Sequence, residues 1–339
     1  MIYRSKAPLR IGLAGGGTDV SPYCDQFGGA ILNATISLFA HTSIEVLNEP
    51  IIIVEALDRN EKETFEWNLQ LPLNGTLDLL KGVYNQIQQD YGIKKTGLQI
   101  STFVDAPAGS GLGTSSTLMV SIIGAFVEFL NLPLGEYDIA QYAYQIERNY
   151  LQLAGGKQDQ YAATFGGFNF MEFYKDNVII NPLRIKSEYI HELENNLILF
   201  FTATSRESAT IIKEQVKNVQ QNNSKSIEAM HLLKEQATLM KEALLKGKIH
   251  QIGEILNIGF INKKNMAQNI SNNWLDEIYE TALKAGATGG KISGAGGGGF
   301  MIFYCPNNTK YNVINNLQIY NGEIKKYNFT KYGLTTWQI

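Results

Sequence analysis

Residues 105–117, Asp-Ala-Pro-Ala-Gly-Ser-Gly-Leu-Gly-Thr-Ser-Ser-Thr, leave this chain few ways to fold. The β-like run Leu98–Val104 leads into them and the apolar run Leu118–Val127 leads out. Strand, glycine loop and helix in that order form a phosphate-binding turn. Gly109, Gly111 and Gly113 let the backbone pass through positive φ and approach a ligand closely. A helix starting near Thr114 aims its free N–H groups and positive dipole end at whatever the loop holds. Thr114, Ser115 and Ser116 stand where helix caps and metal ligands sit, and the same triplet also reads as an ordinary cap.

The bulk composition narrows the function classes. A chain of 339 residues allows two domains or one large one. With 29 basic and 32 acidic residues the net charge is −3, so the basic excess of a nucleic-acid binder is missing. Cys24 and Cys305 form no CxxC and read as free buried thiols in a reducing compartment. The start of the chain has no signal-peptide pattern. Its longest apolar stretch, Leu118–Leu130, contains Ser121 and Glu128 and is too short to span a bilayer. The expectation is a cytoplasmic protein with no nucleic-acid or membrane partner. His41, His191, His231 and His250 show no metal spacing.

Taken in order, residues 2–13 read as a strand entering the turn Ala14-Gly-Gly-Gly-Thr-Asp19. Runs in 30–57 and 63–67 are β-rich, and Leu77–Tyr91 has helical spacing. Ile139, Tyr142, Ala143, Ile146, Tyr150 and Leu153 recur at helical intervals, predicting one helix over 137–153 that Gly155-Gly156 ends. Residues 160–173 read as a turn followed by a β-run. Leu197–Phe201 opens a second unit, 206–285 is helical in pattern, and strands return at 290–293, 300–304 and within 323–338. Non-alternating α and β segments predict an α+β protein of two lobes, 1–190 and 191–339.

Common nucleotide motifs are excluded. There is no GxxxxGK[ST], and the formal GxGxxG at 294–299 runs into the strand Phe300–Tyr304, where a dinucleotide fold requires a helix. Three separate glycine turns remain, at 12–19, 109–113 and 294–299. Pro8–Asp19, Pro107–Ser116 and Lys291–Gly299 together resemble the three motifs of the GHMP kinases, in the family's order and near its spacing. The likeness covers nearly the whole chain. It implies an N-terminal ribosomal-protein-S5-domain-2-like lobe, a C-terminal ferredoxin-like lobe and a site in the cleft. The Gly-Gly-Gly-Thr-Asp form of the first motif resembles the sugar-kinase branch acting on heptose 7-phosphate; fucose kinases carry a bulky aromatic where Gly17 stands. The resemblance thus implies phosphate transfer from ATP, with Mg²⁺, to an anomeric hydroxyl, on the way to GDP-heptose for surface polysaccharide.

Carried residue by residue, the family places the ATP phosphates on Pro107, Gly109, Ser110, Gly111, Leu112, Gly113, Thr114, Ser115 and Ser116. Ser115 and Glu147 match its Mg²⁺ ligands, although Glu147 before Arg148 also reads as half of a solvated ion pair. Asp159 matches the aspartate that orients and deprotonates the acceptor hydroxyl; after Gly-Gly it also reads as a turn former. Arg10 falls where the family sets a cation near the moving phosphoryl group. An arginine midway in an apolar strand is costly to bury alone, which independently calls for a carboxylate or phosphate partner. Gly17, Thr18 and Asp19 match the sugar-binding turn, and Ser293, Gly294, Ala295, Gly296 and Gly297 the loop that closes over the substrate.

A phosphorylated sugar also needs a cationic pocket. Arg206, before a helix, is the first candidate, followed by Lys157, Arg184 and Lys213. The expected partners are a small sugar phosphate and ATP, and monomer or homodimer is left open. Another sugar kinase, of fucose or of an unphosphorylated heptose, is the alternative. A non-catalytic sugar sensor is disfavoured because Arg10, Ser115, Glu147 and Asp159 are all present. The Gly-Gly-Gly-Thr-Asp turn argues against a decarboxylase of the mevalonate branch.

Overall fold

The structure, a computed structural model, describes residues 1–204 and 208–339. Two long strands, β1 (Ile2–Ala14) and β2 (Gly29–Leu47), pair antiparallel around the short helix α1 (Tyr23–Phe27). β2 is long enough to serve two partners on its other edge. Its 40–47 half pairs with β5 (Gly97–Val104), and its 29–34 half pairs with β6 (Phe168–Phe173). β3 (Ile51–Ala56) runs parallel to β5 and antiparallel to β4 (Glu61–Glu66), and β7 (Val178–Pro182) extends the sheet beyond β6. The helices of this lobe are α2 (Asp78–Tyr91), α3 (Thr114–Leu130), α4 (Glu136–Gln145) and α5 (Gln158–Phe165).

α3 is the helix predicted to follow the glycine loop. It packs on β1 and β2 through Met119, Val120, Ile122, Ile123 and Phe126, all fully buried. Each such side chain contributes about 1.5–3 kcal/mol of hydrophobic stabilisation. The start of this helix, and with it the loop, is therefore fixed by its tail. Asn131, at φ 51°, ends the helix in the left-handed region, its N–H bonding the Val127 carbonyl.

The second lobe runs α6 (Ser187–Asn196), β8 (Leu197–Phe201), α7 (Ser208–Gln220), α8 (Ser224–Leu245), α9 (Ile252–Lys264), α10 (Asn273–Lys284), β9 (Gly289–Ile292), β10 (Phe300–Tyr304), α11 (Lys310–Leu317) and β11 (Glu323–Ile324). Its antiparallel sheet has the order β11-β8-β10-β9. That is the 4-1-3-2 order of a ferredoxin-like β-α-β-β-α-β unit. The α+β class and the two sheets match the expectation.

Three local features differ from it. The predicted helix over 137–153 is α4 followed by a π turn, Ile146–Tyr150, in which the Leu151 N–H bonds the Ile146 carbonyl. The extra residue in that turn accompanies a Glu147 side chain that is buried. Residues 158–165 form α5 rather than a turn. The Gln158 N–H of its first turn is taken by the carboxylate of Asp19, far off in sequence, so no local cap announces the helix. Finally, the boundary expected at residue 190 falls inside α6. The chain also returns to the first lobe at its end, where β12 (Thr335–Gln338) pairs with β1 and an isolated bridge joins Phe329 to Ile36. Two stretches of chain thus cross between the lobes.

The returning stretch is seated on Gly166. That glycine lies at φ 66°, and a Cβ there would stand 2.1 Å from the Gly333 nitrogen. Gly166→Ala should therefore combine a left-handed backbone with a backbone clash and destabilise by about 1–3 kcal/mol, measured by urea unfolding.

Candidate active site

The three glycine turns meet. Gly109, Gly111 and Gly113 have φ of 73°, 82° and 78°, so the alternate-glycine spacing produces a left-handed residue at every second step. This winding turns the carbonyls of the loop toward the protein. The Ser110 carbonyl accepts from Phe300 N–H (2.8 Å), that of Gly111 from the Ser293 hydroxyl (2.8 Å), and that of Leu112 from Arg10 N–H (3.2 Å). The N–H groups of Gly109, Gly111, Leu112 and Gly113 have no acceptor among the described residues, and no side chain caps α3. Unpaired donors at an uncapped helix start make a seat for an anion. The cap expected from Thr114, Ser115 or Ser116 does not form, because Gly113 occupies the cap position.

Arg10, 3% exposed in β1, joins all three turns. Its Nε donates to Asp159 Oδ1 (2.7 Å), its Nη2 pairs with the same oxygen (2.7 Å), and its Nη1 donates to the Gly111 carbonyl (2.6 Å). Nη1 also lies 3.5 Å from Ser293 Oγ. Asp159 sits in the first turn of α5, with Gln158 Nε2 donating to it as well (2.9 Å). The close approach of Asp159 to the loop depends on Gly113, where a Cβ would stand 3.0 Å from the Asp159 Cγ. The partner that a buried Arg10 requires is thus Asp159.

Glu147, buried in the π turn, accepts from Ser116 Oγ (2.7 Å) and Gln160 Nε2 (2.6 Å) and pairs with Arg148 (3.3 Å). It is a buried carboxylate with specific partners and not half of a solvated pair. Ser115, one residue before Ser116, is exposed, and both it and Glu147 line one cavity of about 290 Å³. Arg10, Gly17, Asp19, Gly109, Gly111, Gly113, Thr114, Ser116, Asp159, Gly294 and Ala295 also line it. A second pocket of about 510 Å³, walled by Leu77, Leu80, Leu118, Tyr150 and Leu151 with Arg59 and Asp78, shares Leu153 with the first.

Other expected residues lie behind the surface. Leu112 and Ser110 are fully buried, and Pro107 is exposed at the entry to the loop, where its carbonyl accepts from Ser110 N–H. The Thr18 hydroxyl is held by the Gly15 and Ala30 carbonyls and away from the cavity, so it braces the first turn. Ser293 is 1% exposed and ties the third loop to Gly111; Gly296 and Gly297 pack on Ile270. Arg206 lies outside the described residues. Arg184 and Lys213 are exposed and off the cavity, and Lys157 is spent on the Tyr174 and Lys175 carbonyls.

Beside Arg10 and Arg148, the cavity is lined by two lysines that the sequence did not single out. Lys263, from α9, and Lys291, from β9, are 3% and 5% exposed. Lys263 Nζ donates to the Gly294 carbonyl and Lys291 Nζ to that of Gly12 (2.8 Å). Neither has a carboxylate within salt-bridge distance among the described residues. Burial, with Arg10 adding and Asp19 opposing, pulls the Lys263 ammonium down to about 8. Burial, then the charges of Lys263 and Arg10, pull Lys291 well below its usual range. Asp19 is pushed up by burial and by Asp159, against the stabilising Gln158 N–H (2.9 Å).

Two domain families match: GHMP kinases N terminal domain over residues 78–167 and GHMP kinases C terminal over 240–322. A Campylobacter jejuni D-glycero-alpha-D-manno-heptose 7-phosphate kinase is 47% identical over 99% of both chains. The chain belongs to the GHMP kinase family. It is an ATP-dependent kinase. A crystal structure named as a D-glycero-D-manno-heptose 1-phosphate kinase, from Bacteroides thetaiotaomicron, superposes with a TM-score of 0.85 at 44% identity over 99% of both chains. Lactococcus lactis galactokinase, solved with galactose, shares the fold at TM-score 0.78 and 17% identity, covering 98% of this chain and 95% of its own. No helix of this kinase among the described residues is long and apolar enough to cross a membrane, and both cysteines are free and buried.

Holding Lys263 charged in a dry site without an anion works against folding. Lys263→Met should raise the melting temperature of the ligand-free protein by a few degrees at pH 7. A lysine whose folded value lies below its unfolded 10.5 burdens the folded state fully below pH 8, and the burden fades between pH 8 and 10.5. The gap between the two melting curves should shrink across that window, read by calorimetry at several pH values.

Proposed function

We propose that this kinase transfers the γ-phosphoryl group of ATP to the anomeric hydroxyl of D-glycero-α-D-manno-heptose 7-phosphate, giving the 1,7-bisphosphate. The observation that carries the chemistry is the Arg10–Asp159 pair, set between an uncapped glycine loop and the Asp19 turn. Phosphoryl transfer depends chiefly on positioning and charge stabilisation, and this arrangement supplies both. The heptose phosphate follows from the 47% and 44% identical relatives. Both are named for a glycero-manno-heptose phosphate, the 7-phosphate in one and the 1-phosphate in the other. The product would feed GDP-heptose and surface polysaccharide, in a reducing cytoplasm that suits two free thiols.

In this reading the N–H groups of Gly109–Gly113 and the start of α3 hold the ATP phosphates. The leucine-walled pocket beyond Leu153 takes the base. Asp19 accepts hydrogen bonds from sugar hydroxyls and sets the ring. Asp159 orients the anomeric hydroxyl and takes its proton as the oxygen bonds phosphorus and ADP departs. Arg10 holds the Asp159 carboxylate in place from one side and faces the moving phosphoryl group from the other.

Mg²⁺ fits the donor set. A hydroxyl at Ser115 and a carboxylate at Glu147 share the cavity wall, and this hard cation takes few protein oxygens beside phosphate and water. When bound, it neutralises phosphate charge. The Ser116 and Gln160 bonds to Glu147 hold that carboxylate ready for it.

Asp159→Asn should keep ATP binding and reduce kcat roughly 10²–10⁴-fold, the scale of a lost general base. Turnover near wild type would remove Asp159 from the role. A panel of sugars and sugar phosphates, scored by phosphorus NMR for a new anomeric phosphate, tests the acceptor. Equal turnover of fucose, free mannose and heptose 7-phosphate would overturn the assignment.

A further inference from the structure

At Gly16 the first turn of the cleft has room where another residue would have a side chain, and two ammonium groups border that room. A Cβ on Gly16 would lie 3.7 Å from Lys291 Nζ and 3.9 Å from Lys263 Nζ. The two lysines come from different elements of the second lobe, yet they converge on one point of the first. Each is nine-tenths or more buried, faces the cavity and bonds only a backbone carbonyl. Charged groups this deep are ordinarily paired with an opposite charge. Here Asp159 is taken by Arg10, and Asp19 is engaged by the Gln158 N–H. Two neighbouring cations with no dedicated carboxylate make a receptor for a dianion.

We propose that Lys263 and Lys291, over Gly16, form the subsite for the phosphate that the acceptor sugar already carries. This rests on the kinase reading above and deepens it. The ATP γ-phosphate is the competing occupant, and the layout favours the acceptor. Arg10 reaches the Gly111 carbonyl of the ATP loop, whereas the two lysines meet over Gly16 of the first turn, Lys291 bonding the Gly12 carbonyl there and Lys263 that of Gly294 in the third loop. Asp19 ends that same turn and lines the cavity with both lysines. A sugar ring held at Asp19 with its anomeric oxygen at Asp159 would present its far end to Gly16. There Gly16 puts no side chain in the way of a phosphate, and two ammonium groups answer its charge. Gln215, buried beside Gly17 and donating to its carbonyl (2.6 Å), closes the far wall. The site would therefore choose phosphorylated over free sugars by charge.

The test compares wild type with Lys263→Met, on heptose 7-phosphate and on free heptose, each at saturating ATP. The variant should stay folded by its melting curve. Its KM for the sugar phosphate should rise roughly 10–100-fold, the scale of a lost charge-assisted hydrogen bond, while its KM for ATP moves less than about twofold. The wild-type preference for the phosphorylated sugar should shrink by a similar factor. An unchanged KM for the sugar phosphate, or a rise in the KM for ATP instead, overturns the subsite and leaves the kinase reading standing. If wild type turns over no sugar phosphate at all, that reading fails and the subsite with it. Lys291→Met serves as the second variant, with the same expected split, should Lys263→Met not fold.

Discussion

A single guanidinium holds the cleft together. Arg10 lies deep in β1 and bonds the Asp159 carboxylate of α5 and the Gly111 carbonyl of the glycine loop, close to Ser293 of the third loop. Its planar fork of donors suits one cation meeting several acceptors at fixed angles, which a lysine in the same place would not do. Removing it would leave the Asp159 carboxylate without a charged partner, with only the Gln158 amide as donor, and the Gly111 carbonyl with only the Ser293 hydroxyl. The three glycine turns, remote in sequence, depend on this one side chain for their common register.

The glycine loop shows how a phosphate seat is built from backbone alone. Alternate left-handed residues send the carbonyls of Ser110, Gly111 and Leu112 inward, where Phe300, Ser293 and Arg10 satisfy them. The N–H groups are left for a ligand. Closeness between loops then excludes side chains: a Cβ on Gly111 would stand 2.6 Å from the Ser293 carbonyl, and one on Gly294 2.7 Å from the Gly111 Cα. Glycine is needed here for contact between two loops as much as for the turn itself.

Much of this was legible in the sequence, because glycine runs and a charged residue in an apolar strand are local signals. Arg10 asked for a partner by its position alone. The three turns, the strand before each and the helix after the second could be placed from residue types. What was not legible depends on convergence. Lys263 and Lys291 look like ordinary lysines, one in a helix with Lys264 beside it and one in a short strand. Only the fold shows that both are buried and face the same turn. The start of α5 is fixed by Asp19, more than a hundred residues earlier, so the helix read as a turn. The bond from Ser116 to Glu147 was not legible either, because the carboxylate stands in a π turn and periodicity cannot register one inserted residue.

The return of the chain to its first sheet gives the cleft a particular mechanical character. The lobes are joined twice, once through the stretch around α6 and again through the residues leading into β12. One hydrophobic cluster also runs through both, from Leu9 and Leu32 of the first sheet to Leu199 and Ile302 of the second, so packing as well as chain fixes one lobe on the other. Lys263, Lys291 and Ser293 are thereby held in place over the first lobe.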